Sequence, residues 1–391
     1  MAAGAIISPL TKAGGYYARS WGAYLDGARG ELPVARPTLS LATHALRDEI
    51  VLVGLRWKRP LSSPAVYERI NGEVAQAVEL YRERGWLEKP QGFFTAPPAP
   101  TDVAVKSYTS RGRTHQRLSF ASGYEPFTEE PGRDRWMGYT GNHREYALML
   151  RHDEPRPWLV CVHGTEMGRA SLDLTLFRAW HLHEDFGLNV VLPVLPMHGP
   201  RASGLPKGAV FPGEDVMDDV HATAQAVWDV RRVLAWIRAQ DPDAHIGLTS
   251  ISLGGYIAAL VASLDDGLTC AILGCRRPTS SSCWAGTRVW PRTIRAGPPW
   301  TWPHRSAMIS PLSMQPKVPI EGRFIYAGVA DRIVHPRQQV VQLWEHWGRP
   351  DIGWYHGGHI SGFFEARPVQ RFVDAALAQS GLIDGDRPRQ K

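Results

Sequence analysis

The chain has 391 residues, 43% of them hydrophobic and 21% charged, a balance that excludes a disordered polar chain and leaves room for one large domain with an appendage. Its net charge of +6 at pH 7 is carried by scattered rather than clustered Lys and Arg, so no nucleic-acid partner is expected. No apolar run approaches the roughly 18 residues of a membrane span, and the N-terminus lacks a cationic start followed by an apolar core and cleavage site; no transmembrane segment and a cytoplasmic location are expected.

Residues 1–100 read as a mainly helical N-terminal extension. Residues 14–30 are rich in Tyr and Trp, which suits packing against the main domain or an amphipathic face for a lipid or protein partner. Residues 41–53 suit a short helix, and 65–86 a longer one, with Val66, Ile70, Val74, Val78 and Tyr81 at helical intervals. The run TAPPAP at 95–100 marks a boundary, as an extended linker or wall-hugging loop. The extension is expected either to cap the domain that follows or to mediate a homodimer.

From residue 101 strands and helices alternate. Residues 117–122 and 146–151 read as an early strand pair, and the continuous apolar run PWLVCVH at 157–163 as a central strand buried on both faces. A helix over 170–186 and a strand over 188–195 follow. Residues 215–240 form a long amphipathic helix with Val220, Ala224, Val227, Leu234 and Ile237 on one face. Further strands are expected at 246–251, 268–274, 322–328 and 353–356. This alternation predicts an α/β fold with a mostly parallel sheet covered by helices on both faces. Residues 382–391 read as a flexible tail.

The segment HIGLTSISLGGYIAALVA at 245–262 organises the rest. A short apolar strand meets Ser252 and then becomes helical until Asp265, Asp266 and Gly267 end it. Small residues stand two positions either side of the serine, Ser250 and Gly254, giving S-x-S-x-G. That is the shape of a nucleophile elbow, a sharp turn that exposes the hydroxyl above the sheet; Ser252 as an ordinary polar residue in a strand-to-helix loop is the plain alternative. Other features lie at strand ends: His163-Gly164, Asp331 after FIYAGVAD, and His359 in GGHISGF.

These residues resemble the α/β-hydrolase superfamily, over roughly residues 101–381, in the order Ser, Asp, His. The departure is Ser250 where the first glycine of the motif usually stands. The resemblance implies a catalytic Ser252 activated by His359, with Asp331 orienting the imidazole. Asp265 and Asp266 are rival acids better suited to ending a helix. His356 is a rival base; the glycines at 357 and 358 favour His359 by letting its loop approach the serine. His163 is expected to pack structurally, with the N–H groups of Thr165 (or Glu166) and Leu253 forming an oxyanion hole. His198, in another histidine-glycine turn, is also read as structural. Arg169 and Arg201, at carboxyl ends of strands, are read as solvated loop arginines or as contacts for an acidic substrate group.

Residues 276–316 fall between two strands and are heavy in Pro, Ser and Arg, as a lid-like insertion would be. Trp284, Trp290, Trp300 and Trp302 would line an apolar substrate pocket or form a small core of the insertion itself. The four cysteines, Cys161, Cys270, Cys275 and Cys283, lack C-x-x-C spacing and read as reduced, mostly buried thiols. No metal or organic cofactor is implied. The expected activity is hydrolysis of a small-molecule carboxylic ester or thioester with an apolar part, in an esterase- or lipase-like manner, through an acyl-enzyme. An amidase, peptidase or C–C hydrolase on the same scaffold, and a non-catalytic binding module, are the alternatives.

Overall fold

The apolar runs from residue 104 onward assemble into one mixed sheet in the computed structural model, which describes residues 2–25, 33–57, 63–110, 112–274, 307–364 and 367–383. Among the described residues the sheet has nine strands: β1 (Ala104–Ser110), β2 (Arg113–Ala121), β3 (Arg144–Leu150), β4 (Trp158–Val162), β5 (Asn189–Pro193), β6 (Ile246–Ile251), β7 (Leu268–Gly274), β8 (Arg323–Gly328) and β9 (Asp351–Tyr355). Their order is β1-β2-β3-β5-β4-β6-β7-β8-β9. The first three form an antiparallel meander joined antiparallel to β5, and every later pairing is parallel. The fully buried strands β4 and β5 are the continuous apolar runs, as expected where helices cover both faces. β1 escapes the sequence reading because AVKSYTS is an exposed edge strand with little apolar alternation.

Among the described residues the helices are α1 (Ala2–Leu25), α2 (Leu39–Trp57), α3 (Pro64–Glu83), α4 (Arg133–Met137), α5 (Ala170–Leu176), α6 (Ala179–Glu184), α7 (Val216–Gln240), α8 (Leu253–Leu264), α9 (Val341–His346), α10 (Ser361–Phe364) and α11 (Arg367–Gln379). The long α7 starts where Asp215 accepts the N–H groups of Met217 and Asp218. Residues 170–186 are two helices rather than the single one expected. Arg178, at φ 53°, breaks them and pairs with Asp374 of α11 at 3.2 Å, an ion pair across the fold that local periodicity does not reveal.

Arg201 corrects another expectation. It is fully buried, neither solvated nor facing a pocket, and its guanidinium pairs with Glu145 of β3 and with Asp229 of α7. Burial without partners would be prohibitive for any of the three charges, so the network is held together or not at all.

The N-terminal helices pack onto this body. α3 buries Ile70, Val74, Ala77 and Tyr81 and contacts α7, while Arg69 and Arg135 knit Glu73, Asp215 and Asp218 into a charged seam. The 95–100 segment hugs the wall, its Thr95 and Pro98 carbonyls accepting from Arg231 and Arg232 of α7. α1 and α2 pair with each other, and Tyr16, Tyr17, Ala35 and Leu41 pack on Val329 and Ala330, directly after β8. Among the described residues no helix is long and apolar enough to cross a membrane.

Candidate active site

Ser252 stands between β6 and α8 at φ 55° and ψ −116°, a conformation that non-glycine residues adopt at a cost. Sheet and helix over-determine it: the Ser252 N–H donates to the Gly274 carbonyl at 3.0 Å, and its own carbonyl accepts from the Gly255 N–H at 2.9 Å. Gly254 is required because a Cβ there would lie 1.9 Å from the Val162 carbonyl oxygen. Ser250 is tolerated in place of glycine because its buried hydroxyl finds an acceptor, the Ile272 carbonyl at 3.3 Å. The Ser250 carbonyl is itself held by the Tyr326 hydroxyl at 2.8 Å.

The loops after β8 and β9 deliver the other two side chains. His359 Nε2 lies 2.9 Å from Ser252 Oγ, and its Nδ1 lies 2.8 Å from Asp331 Oδ2. The second Asp331 oxygen accepts the N–H groups of Ile333 and Val334 at 2.8 and 2.7 Å, which fixes the carboxylate plane. Asp331 and His359 are buried, while Ser252 is partly exposed. With Asp331 accepting from Nδ1–H, the neutral imidazole presents a bare Nε2 to the serine hydroxyl.

His163-Gly164 closes the site from β4. Burial, reinforced by the neighbouring His198 ring, pushes the His163 pKa down to about 3. The neutral ring donates from Nδ1 to the Gly164 carbonyl at 2.8 Å and accepts the Leu195 N–H at Nε2, 3.0 Å. Gly164 sits beside the serine, where a Cβ would be 3.1 Å from Ser252 Cβ. Among the described residues the N–H groups of Thr165 and Leu253 have no acceptor. Asp173, which the sequence did not single out, holds this loop by accepting the Gly168 N–H with both oxygens at 3.1 Å; burial raises its pKa to about 6.

Several candidates are elsewhere. Asp265 pairs with Arg238 at 2.6 Å, Asp266 with Lys317 at 2.8 Å, and His356 is exposed. Arg169 is exposed and donates to the Glu166 carbonyl. His198 is buried, its Nδ1 2.8 Å from the Pro196 carbonyl oxygen. Trp284, Trp290, Trp300 and Trp302, with Cys275 and Cys283, lie outside the described residues. Cys161 and Cys270 are free and buried, and burial raises the thiol pKa of both, that of Cys270 to about 11. A cavity of about 730 Å³, counting its open mouth, reaches Ser252 and His359. Leu176, Phe177, Ile251, Tyr355, Val369 and Val373 give it a mainly apolar wall, with the Arg178–Asp374 pair at its edge. Among the described residues no group of three or more His, Cys, Asp or Glu side chains is placed to hold a metal ion.

Two Mycobacterium tuberculosis proteins, Rv2627c of strain ATCC 25618 / H37Rv and MT2702 of strain CDC 1551 / Oshkosh, are each 59% identical to the chain over 393 residues. Each alignment covers 98% of this chain and 93% of the relative. The chain belongs to their family. No family model matches the sequence. Among solved structures, the acetyl xylan esterase from Paenibacillus sp. R4 superposes with a TM-score of 0.50 at 14% identity, covering 77% of this chain and 94% of the esterase. That likeness establishes the fold: the chain has the α/β-hydrolase fold. The N-terminal helix α2 contributes a residue to the site's surroundings that motif reasoning missed, the buried Asp48, which lies against the Asp331 and His359 loops.

Proposed function

We propose that the chain is a serine hydrolase that cleaves a carboxylic ester, or a thioester, through an acyl-enzyme on Ser252. The observation that carries this reading is the relay from Ser252 Oγ to His359 Nε2 at 2.9 Å and from His359 Nδ1 to Asp331 at 2.8 Å, mounted on a strained elbow. A serine hydroxyl is a weak nucleophile at neutral pH. His359 takes its proton as Oγ attacks the substrate carbonyl carbon, and the Asp331 carboxylate stabilises the imidazolium that forms. The N–H groups of Thr165 and Leu253 are the donors this reading gives to the oxyanion; removal of one such donor typically costs about 2.7–4 kcal/mol of transition-state stabilisation. The imidazolium returns its proton to the departing alcohol or thiol, and water, activated by the same base, then releases the acid.

The cavity beside Ser252 suits an apolar part of a small-molecule substrate. Residues 101–381 are read as the catalytic domain, with 1–100 as a cap. The test is labelling by a fluorophosphonate probe together with turnover of short p-nitrophenyl esters. Both are expected in the wild type and absent in Ser252→Ala; retained turnover in that variant removes the assignment. Faster cleavage of a matched anilide than of the ester transfers the reading to an amidase.

A further inference from the structure

We propose that Asp48 of α2 is a positioning residue for the Asp331–His359 pair, so that the N-terminal helices complete the active site instead of only covering the domain. The proposal rests on the hydrolase reading above. Asp48 is fully buried, and its carboxylate accepts three main-chain N–H groups from the two loops that carry the relay. Oδ2 takes Arg332 N at 2.9 Å and His359 N at 2.8 Å, and Oδ1 takes Ile360 N at 3.0 Å. One donor thus follows Asp331 directly, and another belongs to His359 itself, so one side chain sets the separation of acid and base from 284 and 311 positions away in the chain. The loops also share a main-chain bond, Ala330 N–H to the Gly357 carbonyl at 3.0 Å. That bond ties the residues just before Asp331 and His359, and Asp48 ties Arg332 to His359 and Ile360.

The surroundings are built for this contact. Gly358 leaves the approach open, since a Cβ there would lie 2.7 Å from Asp48 Oδ2. Next to Asp48, Glu49 holds the Arg332 guanidinium at 3.1 Å, and that guanidinium stacks on Tyr16 of α1, 4.6 Å from the ring centre. Three N–H donors favour the carboxylate form against the burial that opposes it. Removing the acceptor strands buried N–H groups at the two loops and frees His359 to drift from Ser252, and catalysis is sensitive to small errors of that kind.

The test uses the full chain as wild type, Asp48→Asn, Asp48→Ala and Tyr16→Ala. Asparagine keeps the volume and one acceptor oxygen but sets an NH2 against at least one N–H donor, so it remains informative if Asp48→Ala does not fold. Tyr16→Ala loosens the docking of α1 and leaves the carboxylate in place. The readouts are kcat and KM on a p-nitrophenyl ester, the melting temperature, and the downfield proton signal of His359 Nδ1–H, assigned by its loss in His359→Gln. Asp48→Asn is expected to lower kcat roughly 10- to 100-fold, to change KM by no more than about twofold, and to shift or broaden the Nδ1–H signal. Tyr16→Ala is expected to lower the melting temperature with kcat and the signal unchanged. Wild-type kcat and an unmoved signal in Asp48→Asn overturn the proposal, as does an equal kcat loss in Tyr16→Ala, which would assign the effect to docking alone. If the wild type neither labels nor turns over, the hydrolase reading fails; the Nδ1–H signal needs no turnover and still decides whether Asp48 positions His359.

Discussion

Ser252 carries φ 55° with a Cβ attached, so the position stores strain of about 1–3 kcal/mol that glycine would not feel. Ser252→Gly and Ser252→Ala are both expected to abolish ester hydrolysis, and the glycine variant to be the more stable by about 1 kcal/mol, the relief being partly offset by glycine's larger entropy loss on folding. Urea unfolding of the two proteins checks this, and a less stable glycine variant contradicts it. Asp331 is decided by hydrogen-bond chemistry rather than strain. Asn at 331 offers an N–H where His359 Nδ1–H needs an acceptor, so the ring turns to the wrong tautomer, and a kcat loss of about 10⁴-fold is expected. Asp265→Asn, at a side chain that pairs with Arg238 and Arg231, is expected to leave kcat intact.

At the scale of elements, the docking of α2 on the loops after β8 and β9 should be visible as a pH dependence of stability. Burial, then the charge of Asp331, raises the Asp48 pKa from 3.8 to about 6, while His359 and the N–H groups of Arg332 and Ile360 pull it down. Glu49 and Arg332 are the other charged groups packed there. Because the folded-state value lies above the unfolded one, the folded chain binds more protons between pH 4 and pH 6. This group's contribution to stability therefore falls as pH rises through that window and levels off above it. Asp173 and Asp218, also near 6, contribute the same sign. Asp48→Asn is expected to flatten the slope of unfolding free energy between pH 4 and 6 relative to wild type. Parallel curves for the two proteins would show that Asp48 does not titrate in that window.

Across the whole molecule, Arg201 joins β3 to α7 through Glu145 and Asp229, with the Val194 and Asn142 carbonyls each accepting a further N–H from its Nη1 and Nη2. Arg201→Met removes the cation and leaves two buried carboxylates; breaking such a pair costs about 3–5 kcal/mol. The Glu145 and Asp229 carboxyls are already raised above their ordinary range by burial, so in the variant they are expected to be neutralised by protons. The destabilisation should then be smaller at pH 5 than at pH 8, as read from melting temperatures across pH, and a larger loss at pH 5 would refute this account. The sequence by itself determined the parallel strands, whose apolar runs are continuous because helices cover both faces, and the elbow, whose small residues answer to clashes within a few positions of Ser252. It also carried Asp331 and His359, because a residue that ends a strand of a parallel sheet is delivered to the same edge as the others. It did not carry the fate of Arg201, the break at Arg178, the hold of Asp173 on Gly168, or Asp48. A buried ion triplet and a solvated arginine look alike in a local window, and a carboxylate that binds N–H groups 284 and 311 positions away leaves no periodicity to read. Those contacts exist only once the sheet has set the loops side by side and α2 has docked on them, so the tertiary structure alone decided them.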